Sequence, residues 1–460
     1  MSIHRTFTLV FASAAMLIAV TCSCHAATWK AGAAKVKITP EQSMWMAGYG
    51  SRTQPATGFL NDLFAKAIVL EDAQGTRVAM IGLDLVGISP DVAEPVREQL
   101  ASKYNLAPGN VAICCSHSHS GPVVGFNLRS LHYDQVDDSQ KLLIDAYAVR
   151  LQQAIIDVVG QAISALAPAH LTFGNGTATF ATNRRNNPEA DVPRLRSEGK
   201  LAGPSDHDVP VLKITDLEGK LTAVLFGYAC HATVLSGYDW SSDYPGFAQS
   251  DLEAMHPGCT AVFFAGCGAD QNPLPRRQVE LAKSYGAQLA ATVDKVLGET
   301  LQPVEGDLTA RATHIDLALA SVPTREEVER DAQSADKYVA ARATWYLSLL
   351  DAGQSLPSTY RYPIQVWRLG DMLTLVTLGG EVVVDYALRL KQELGQDTTW
   401  VAGYANDVMA YIPSRRVLAE GGYEGGGAMV YYSLPSPWDP AVEEDIVRAV
   451  HVLNATPKSR

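Results

Sequence analysis

Apolar residues along this chain fall into short runs that end in turn residues, interrupted by longer stretches with the period of a helix. Trp29 to Thr39 is the first run, closed by Pro40. Phe64–Leu70 and Val78–Leu83 flank Ala73-Gln74-Gly75-Thr76 and predict strand, turn, strand. Ser89-Pro90-Asp91 predicts a helix start, with the helix reaching about Tyr104. Val111–Cys115 is then a buried strand, and a long amphipathic helix is predicted from about Gln140 to Leu166. Leu171–Ala181 alternates like a strand. Val211–Ile214 and Leu221–Cys230 form a hairpin pattern, Thr260–Ala265 is a further buried strand, and Val279–Glu299 is helical. Thr324–Leu350 reads as one charged helix. Tyr362–Leu369 and Met372–Leu378 pair across Gly370-Asp371, followed by a helix over Val382–Leu394, a strand over Trp400–Tyr404 and a last helix over Asp439–Leu453. Strand, helix and strand in succession predict an α/β fold, a mixed-sheet layered catalytic domain.

The polar residues at the ends of these runs carry the candidate chemistry. Asp84, His117, His119, His231, Asp270, Glu381 and Tyr411 each follow a buried apolar run. In open α/β folds a ligand site gathers at one edge of the sheet. Cys115-Ser116-His117-Ser118-His119-Ser120-Gly121-Pro122 is the densest stretch. In an extended chain His117 and His119 point to the same side. Such a pair either binds a divalent metal or bonds to backbone as two structural histidines. Two or three histidines with one carboxylate match a catalytic zinc set that keeps one position for water. Gly266 to Pro273 lacks the Lys-Ser/Thr ending of a phosphate loop. Asn183 to about His207 is a polar stretch with little periodicity, and Gly421 to Gly427 reads as a flexible loop.

The chain has 460 residues, of which 47% are hydrophobic, enough for a large core. Residues 1–26 combine Arg5, an apolar run from Phe7 to Val20 and Ala26 before the cut. They read as a secretory signal rather than a membrane anchor, so the catalytic domain spans 27–460 and is expected to be secreted or periplasmic. A formal charge of −12 without a basic cluster excludes a nucleic-acid partner. Cys114, Cys115, Cys230, Cys259 and Cys267 remain after the signal. An odd number in apolar runs is no disulfide framework, with Cys259–Cys267 the one pairing left open.

In this order and spacing the sequence resembles the catalytic domain of the neutral/alkaline, non-lysosomal ceramidases. The resemblance runs from Ala31-Gly32-Ala33-Ala34-Lys35-Val36-Lys37-Ile38-Thr39-Pro40 and Met46-Ala47-Gly48-Tyr49 through Asp84-Leu85 to Ser116-His117-Ser118-His119-Ser120-Gly121-Pro122. It continues in Asn183-Arg184, Gly227-Tyr228-Ala229-Cys230-His231, Gly380-Glu381, Tyr411-Ile412 and Tyr423-Glu424-Gly425. It implies zinc held by His117, His231, Glu381 and Tyr411, with His119 as proton shuttle, Tyr423 as oxyanion donor and Arg184 holding a polar part of the substrate. The implied reaction is hydrolysis of an N-acyl amide, with a ceramide-like lipid leading and a more polar amide or ester as the alternative. A non-catalytic relative that binds an envelope component is the other class. The implied partner is a small lipid or N-acyl amide substrate, with peripheral membrane contact and no obligate protein partner. Met44, Trp45, Met46 and Phe126 are expected to offer apolar surface near the metal. Two departures bear on substrate. Gly268-Ala269-Asp270-Gln271-Asn272-Pro273 stands where the family carries Gly-Asp-Val-Ser-Pro-Asn, and the immunoglobulin-like domain of larger members is expected to be absent.

Overall fold

The computed structural model describes residues 29–455. The signal assigned to residues 1–26 lies outside the described residues.

Strands β1 (Trp29–Lys37), β2 (Phe64–Glu71), β3 (Arg77–Leu83), β4 (Val111–Cys115), β5 (Ala167–Thr177), β6 (Asp208–Thr215), β7 (Leu221–Tyr228) and β8 (Thr260–Ala265) build a large mixed sheet. Their order is β8-β7-β6-β5-β1-β2-β3-β4, with Gln302–Pro303 added against β5. The middle is antiparallel and both ends are parallel pairs, β3 with β4 and β7 with β8. Helices α1 (Pro90–Tyr104), α2 (Asp138–Ser164), α3 (Asp243–Met255) and α4 (Val279–Leu297) accompany this sheet, α1 and α3 being the crossovers of its parallel ends. A second sheet, in the order β9-β10-β11-β12, consists of β9 (Leu308–Ala318), β10 (Thr359–Leu369), β11 (Leu373–Leu378) and β12 (Thr399–Ala402). Helices α5 (Arg325–Asp331), α6 (Lys337–Asp351), α7 (Val384–Leu394) and α8 (Val442–Asn454) belong to the second half of the chain.

Three cores bind these elements into helix, sheet, sheet and helix layers. Ile81, Ile113, Ile155, Phe226 and Leu289 belong to the core between the first helices and the large sheet. Trp29, Met80, Phe173 and Phe264 meet Trp367 and Trp400 between the sheets. Ile364 and Val376 pack with Tyr386, Leu390, Ile446 and Val450 under α7 and α8. Both sheets are therefore covered on both faces, which explains why β2, β4 and β11 read as near-continuous apolar runs rather than alternating ones. Each large side chain so buried contributes about 1.5–3 kcal/mol.

The two parallel ends of the large sheet are joined through one segment. Gly403 N donates to Ala265 O at the end of β8, Cys115 N at the end of β4 donates to Tyr404 O, and Asn406 N donates to Ile113 O. The polar exits of β4, β7, β8 and β11 are thereby drawn to one place.

Several expectations change. Thr324–Leu350 is two helices. Asp336 turns its carboxylate onto the N–H groups of Tyr338 and Val339, capping α6 afresh after α5 has ended at Asp331. Ser89 is the N-cap residue of α1, but its hydroxyl bonds Asp91 instead of backbone. The polar stretch after Asn183 holds a short helix, Val192–Ser197. All five cysteines are buried free thiols, so Cys259 and Cys267 do not pair. Met44 and Met46 are buried in the core and do not form an apolar mouth. Trp45 is partly buried, and Phe126 alone of the four is exposed.

Candidate metal centre

The chain leaves β4 at Cys115 and does not continue extended. His117 has φ of 61°, a left-handed conformation, so the shared direction of His117 and His119 comes from a turn and not from strand alternation. His117 Nδ1 bonds Val86 O at 2.6 Å, and His119 Nε2 lies 3.0 Å from His117 Nε2. His231 follows β7; its Nδ1 bonds Gly268 O at 2.8 Å. Glu381 follows β11 through Gly379-Gly380, where Gly380 has φ of 76° and a Cβ would lie 2.6 Å from Ile412 Cγ1 and 2.7 Å from Ala410 O. Glu381 pairs in register with Tyr411 as a short parallel bridge, which carries both residues into the site together.

Glu381 Oε2 lies 3.2 Å from His117 Nε2 and 3.1 Å from His231 Nε2. Tyr411 Oη lies 3.4 Å from His231 Nε2. Burial pushes His231 down to about 4, helped by the charge of Arg184, and pushes His119 well below the usual histidine range, helped by His117 and His231. Burial opposes the charge on Glu381, but His117 and His231 outweigh it and hold its carboxyl well below the usual range. The donors therefore do not balance. With Nδ1–H given to a backbone carbonyl, His117 and His231 each present Nε2 to the same carboxylate oxygen. Glu381 Oε2 is buried with no hydrogen-bond donor. A cation at the point where these three atoms meet would satisfy all of them at once. Imidazole nitrogen, carboxylate and phenol oxygen suit zinc, and an Nδ1–H bonded to a carbonyl is the usual outer support of a zinc-binding histidine. His117, His119 and His231 also form a group whose ligand atoms lie within 4.8 Å of one another, so His119 stands next to the same point.

The other residues singled out in the sequence are placed as follows. The His119 ring is edge-on to Tyr49 at 4.9 Å, and Gly48, with φ of 97°, lets the ring pass: a Cβ there would lie 2.4 Å from His119 Cγ. Tyr423 is 47% exposed, with its ring 5.2 Å from that of Tyr411. Arg184 donates to Tyr411 Oη at 3.1 Å, to Glu424 at 2.7 Å and to Asn272 Oδ1 at 3.3 Å. It thus touches a candidate ligand besides facing a cavity. The segment from Tyr423 to Gly427 is a helical turn, held by ion pairs from Arg184 and Arg185 to the buried Glu424. Asp84 and Asp270 are not brought to the metal point. Asp84 accepts from Phe64 N and Gln249, and Asp270 from Val384 N and Asn183. Gln271 bonds Ala229 O and Asp206 N, holding the turn that carries His231.

Two residues escaped the sequence reading. The buried Tyr404, φ of 52°, lays its ring 4.4 Å from that of His117, and its hydroxyl has no partner. Tyr432 donates a short hydrogen bond to Glu381 Oε1, leaving Oε2 to face the histidines. Tyr404 closes the predicted strand Trp400–Tyr404 and reads as part of it, and Tyr432 follows no predicted run. Tyr432→Phe, which removes one hydroxyl, is expected to weaken metal binding at this centre about 10–100-fold in chelator competition, the usual scale for an outer-shell partner. The melting temperature of the metal-free protein should fall modestly, because the variant leaves the buried Glu381 carboxylate one donor short.

The family model for the N-terminal domain of neutral/alkaline non-lysosomal ceramidases matches residues 29–267, a span with His117, His119, Arg184 and His231 but without Glu381, Tyr411 or Tyr423. The neutral ceramidase of Pseudomonas aeruginosa is 24% identical over 500 residues, covering 91% of this chain and 71% of that protein. The neutral ceramidase of Drosophila melanogaster is 26% identical over 247 residues, 52% of this chain and 34% of its own length. The crystal structure of the Pseudomonas aeruginosa enzyme superposes with a TM-score of 0.71 at 21% identity, covering 94% of this chain and 75% of that one. A ceramidase complexed with C2 superposes at 0.70 with 20% identity, covering 94% of this chain and 76% of that one. These likenesses agree with the mixed α/β fold, and the family match spans more than half of the sequence: the chain belongs to the neutral/alkaline non-lysosomal ceramidase family.

Proposed function

We propose that this protein is a zinc-dependent hydrolase of N-acyl amides, with a ceramide-like N-acyl sphingolipid cleaved to fatty acid and sphingoid base. The observation that carries the reading is the meeting of His117 Nε2, His231 Nε2 and Glu381 Oε2 without a donor between them. Membership of a family whose relatives are named neutral ceramidases supplies the bond type. His117, His231, Glu381 and Tyr411 would hold the zinc, which when bound supplies a Lewis acid for the amide carbonyl and a water of pKa about 7.

The chain's own groups have separate tasks. His119, held neutral by burial and beside His117, takes a proton from the attacking water and returns it to the leaving amine nitrogen, so that water and amide become acid and amine. Tyr423, a phenol that is protonated at neutral pH, donates to the oxygen on which charge develops, a contact of about 3 kcal/mol. Arg184 keeps two N–H donors beyond its three bonds and can meet a polar group of the substrate while steadying Tyr411. Among the described residues no helix is long and apolar enough to cross a membrane, and we place the protein outside the cytoplasm, meeting lipid peripherally, on the strength of residues 1–26.

The test is release of fatty acid from a labelled short-chain N-acyl sphingosine by the zinc-loaded protein. Release well above a His117→Ala control is expected. None above that control, with turnover of a polar ester, would replace the amide reading.

A further inference from the structure

A cavity of about 520 Å³ opens beside the metal centre, with Arg184, Arg185, Arg276, Asn272, Tyr423 and Glu424 in its wall. It adjoins the ligands on two sides. Arg184 reaches Tyr411 Oη, and Arg276 reaches Thr233, two residues beyond His231. Its volume is in the range of small-molecule sites, but such sites are mostly apolar, and this one is charged. The charges are sorted by depth. The Arg185 and Arg276 side chains are 10% and 14% exposed, whereas the carboxylates that pair with them from the rim, Glu420 and Glu189, are 41% and 46% exposed. The wall sets three guanidinium groups against three carboxylates, but of the carboxylates only Glu424, paired with Arg184 and Arg185, is buried. The chain as a whole has a charge of −12, so this inward positive surplus is local. A confined positive surface favours an anion.

We propose that this cavity is a subsite for an anionic group on the amine side of the substrate, a carboxylate or a phosphate, so that the preferred amides are N-acyl compounds whose amine portion carries such a group. The amine side is assigned because an alkyl acyl chain would strip water from guanidinium and carboxylate groups and return no hydrogen bond. Arg276 is the specificity residue. Its fork is held from the rim by Glu189 through Nε and Nη2, while Nη1 has only a 3.3 Å contact to Thr233 Oγ1 and keeps donor capacity inward. The hydroxyls of a sphingoid base would fill little of this volume. The inference rests on the hydrolase reading above.

The test uses three amides with one acyl chain: N-hexanoylglycine, N-hexanoylphosphoethanolamine and the neutral N-hexanoylethanolamine. At low salt the zinc-loaded protein should turn over at least one anionic compound with kcat/KM about tenfold or more above the neutral one, and whichever anion leads identifies the group. Arg276→Met should remove most of that preference through KM and leave the neutral amide unchanged. Arg276→Lys, which keeps the charge and loses the fork, should restore part of it. Calorimetry on the metal-free protein reads the subsite without turnover, and Arg276→Met should weaken binding of the leading anion about tenfold or more. Equal or better turnover of the neutral amide, or an Arg276→Met variant with unchanged preference and binding, overturns the inference while the hydrolase reading stands. Anion binding that depends on Arg276, with no turnover of any amide, supports the subsite and fails the hydrolase reading.

Discussion

His119→Ala is expected to keep its zinc and to lose about 10²–10⁴-fold in kcat, the scale of a missing general acid/base. Three features of His119 set it apart from the other two imidazoles. Its Nδ1 is buried with no partner, where His117 and His231 each give that nitrogen a backbone carbonyl. It is partly exposed, while the other two are buried. Neither Glu381 nor Tyr411 approaches it in an ion pair or hydrogen bond. A ring without an anchored far nitrogen can accept a proton and give it up again; a ligand needs that nitrogen fixed. Zinc content and kcat of the same preparation decide the matter. Loss of zinc along with activity would make His119 the third nitrogen of the metal site.

His117→Ala and His231→Ala are each expected to lose zinc and to bring hydrolysis to background. Each removes a neutral nitrogen donor, and each leaves the ionised Glu381 buried with less cation to balance it. An uncompensated buried charge costs several kcal/mol, so the variants should also melt lower than zinc-loaded wild type at neutral pH. Elemental analysis and a melting curve check both parts. Full zinc in either variant would remove that histidine from the ligand set.

The elements of the fold were legible because both sheets are covered on both faces. Burial on two sides makes β2, β4, β7 and β11 near-continuous apolar runs whose ends show in the sequence, and His117, His231 and Glu381 stand at those ends. Their meeting was not legible from periodicity. It depends on the segment 403–406, which bonds to both parallel ends of the large sheet, and on the left-handed turn at His117. Order and spacing of the motifs, through the family resemblance, supplied what the strand pattern could not. Tyr404 and Tyr432 were missed because their roles arise from contacts far along the chain, with His117 and with Glu381. Met44 and Met46 misled because loop residues can be packed as tightly as core strands, and both are buried. The single helix expected over Thr324–Leu350 failed for a local reason, the capping carboxylate of Asp336.

Zinc content of the purified wild-type protein tests the central claim most directly. About one equivalent per chain is expected, removed by a strong chelator together with the hydrolysis of short-chain N-acyl sphingosine, and both restored when zinc is returned. A folded, fully active protein that holds no zinc and is indifferent to chelation would contradict it.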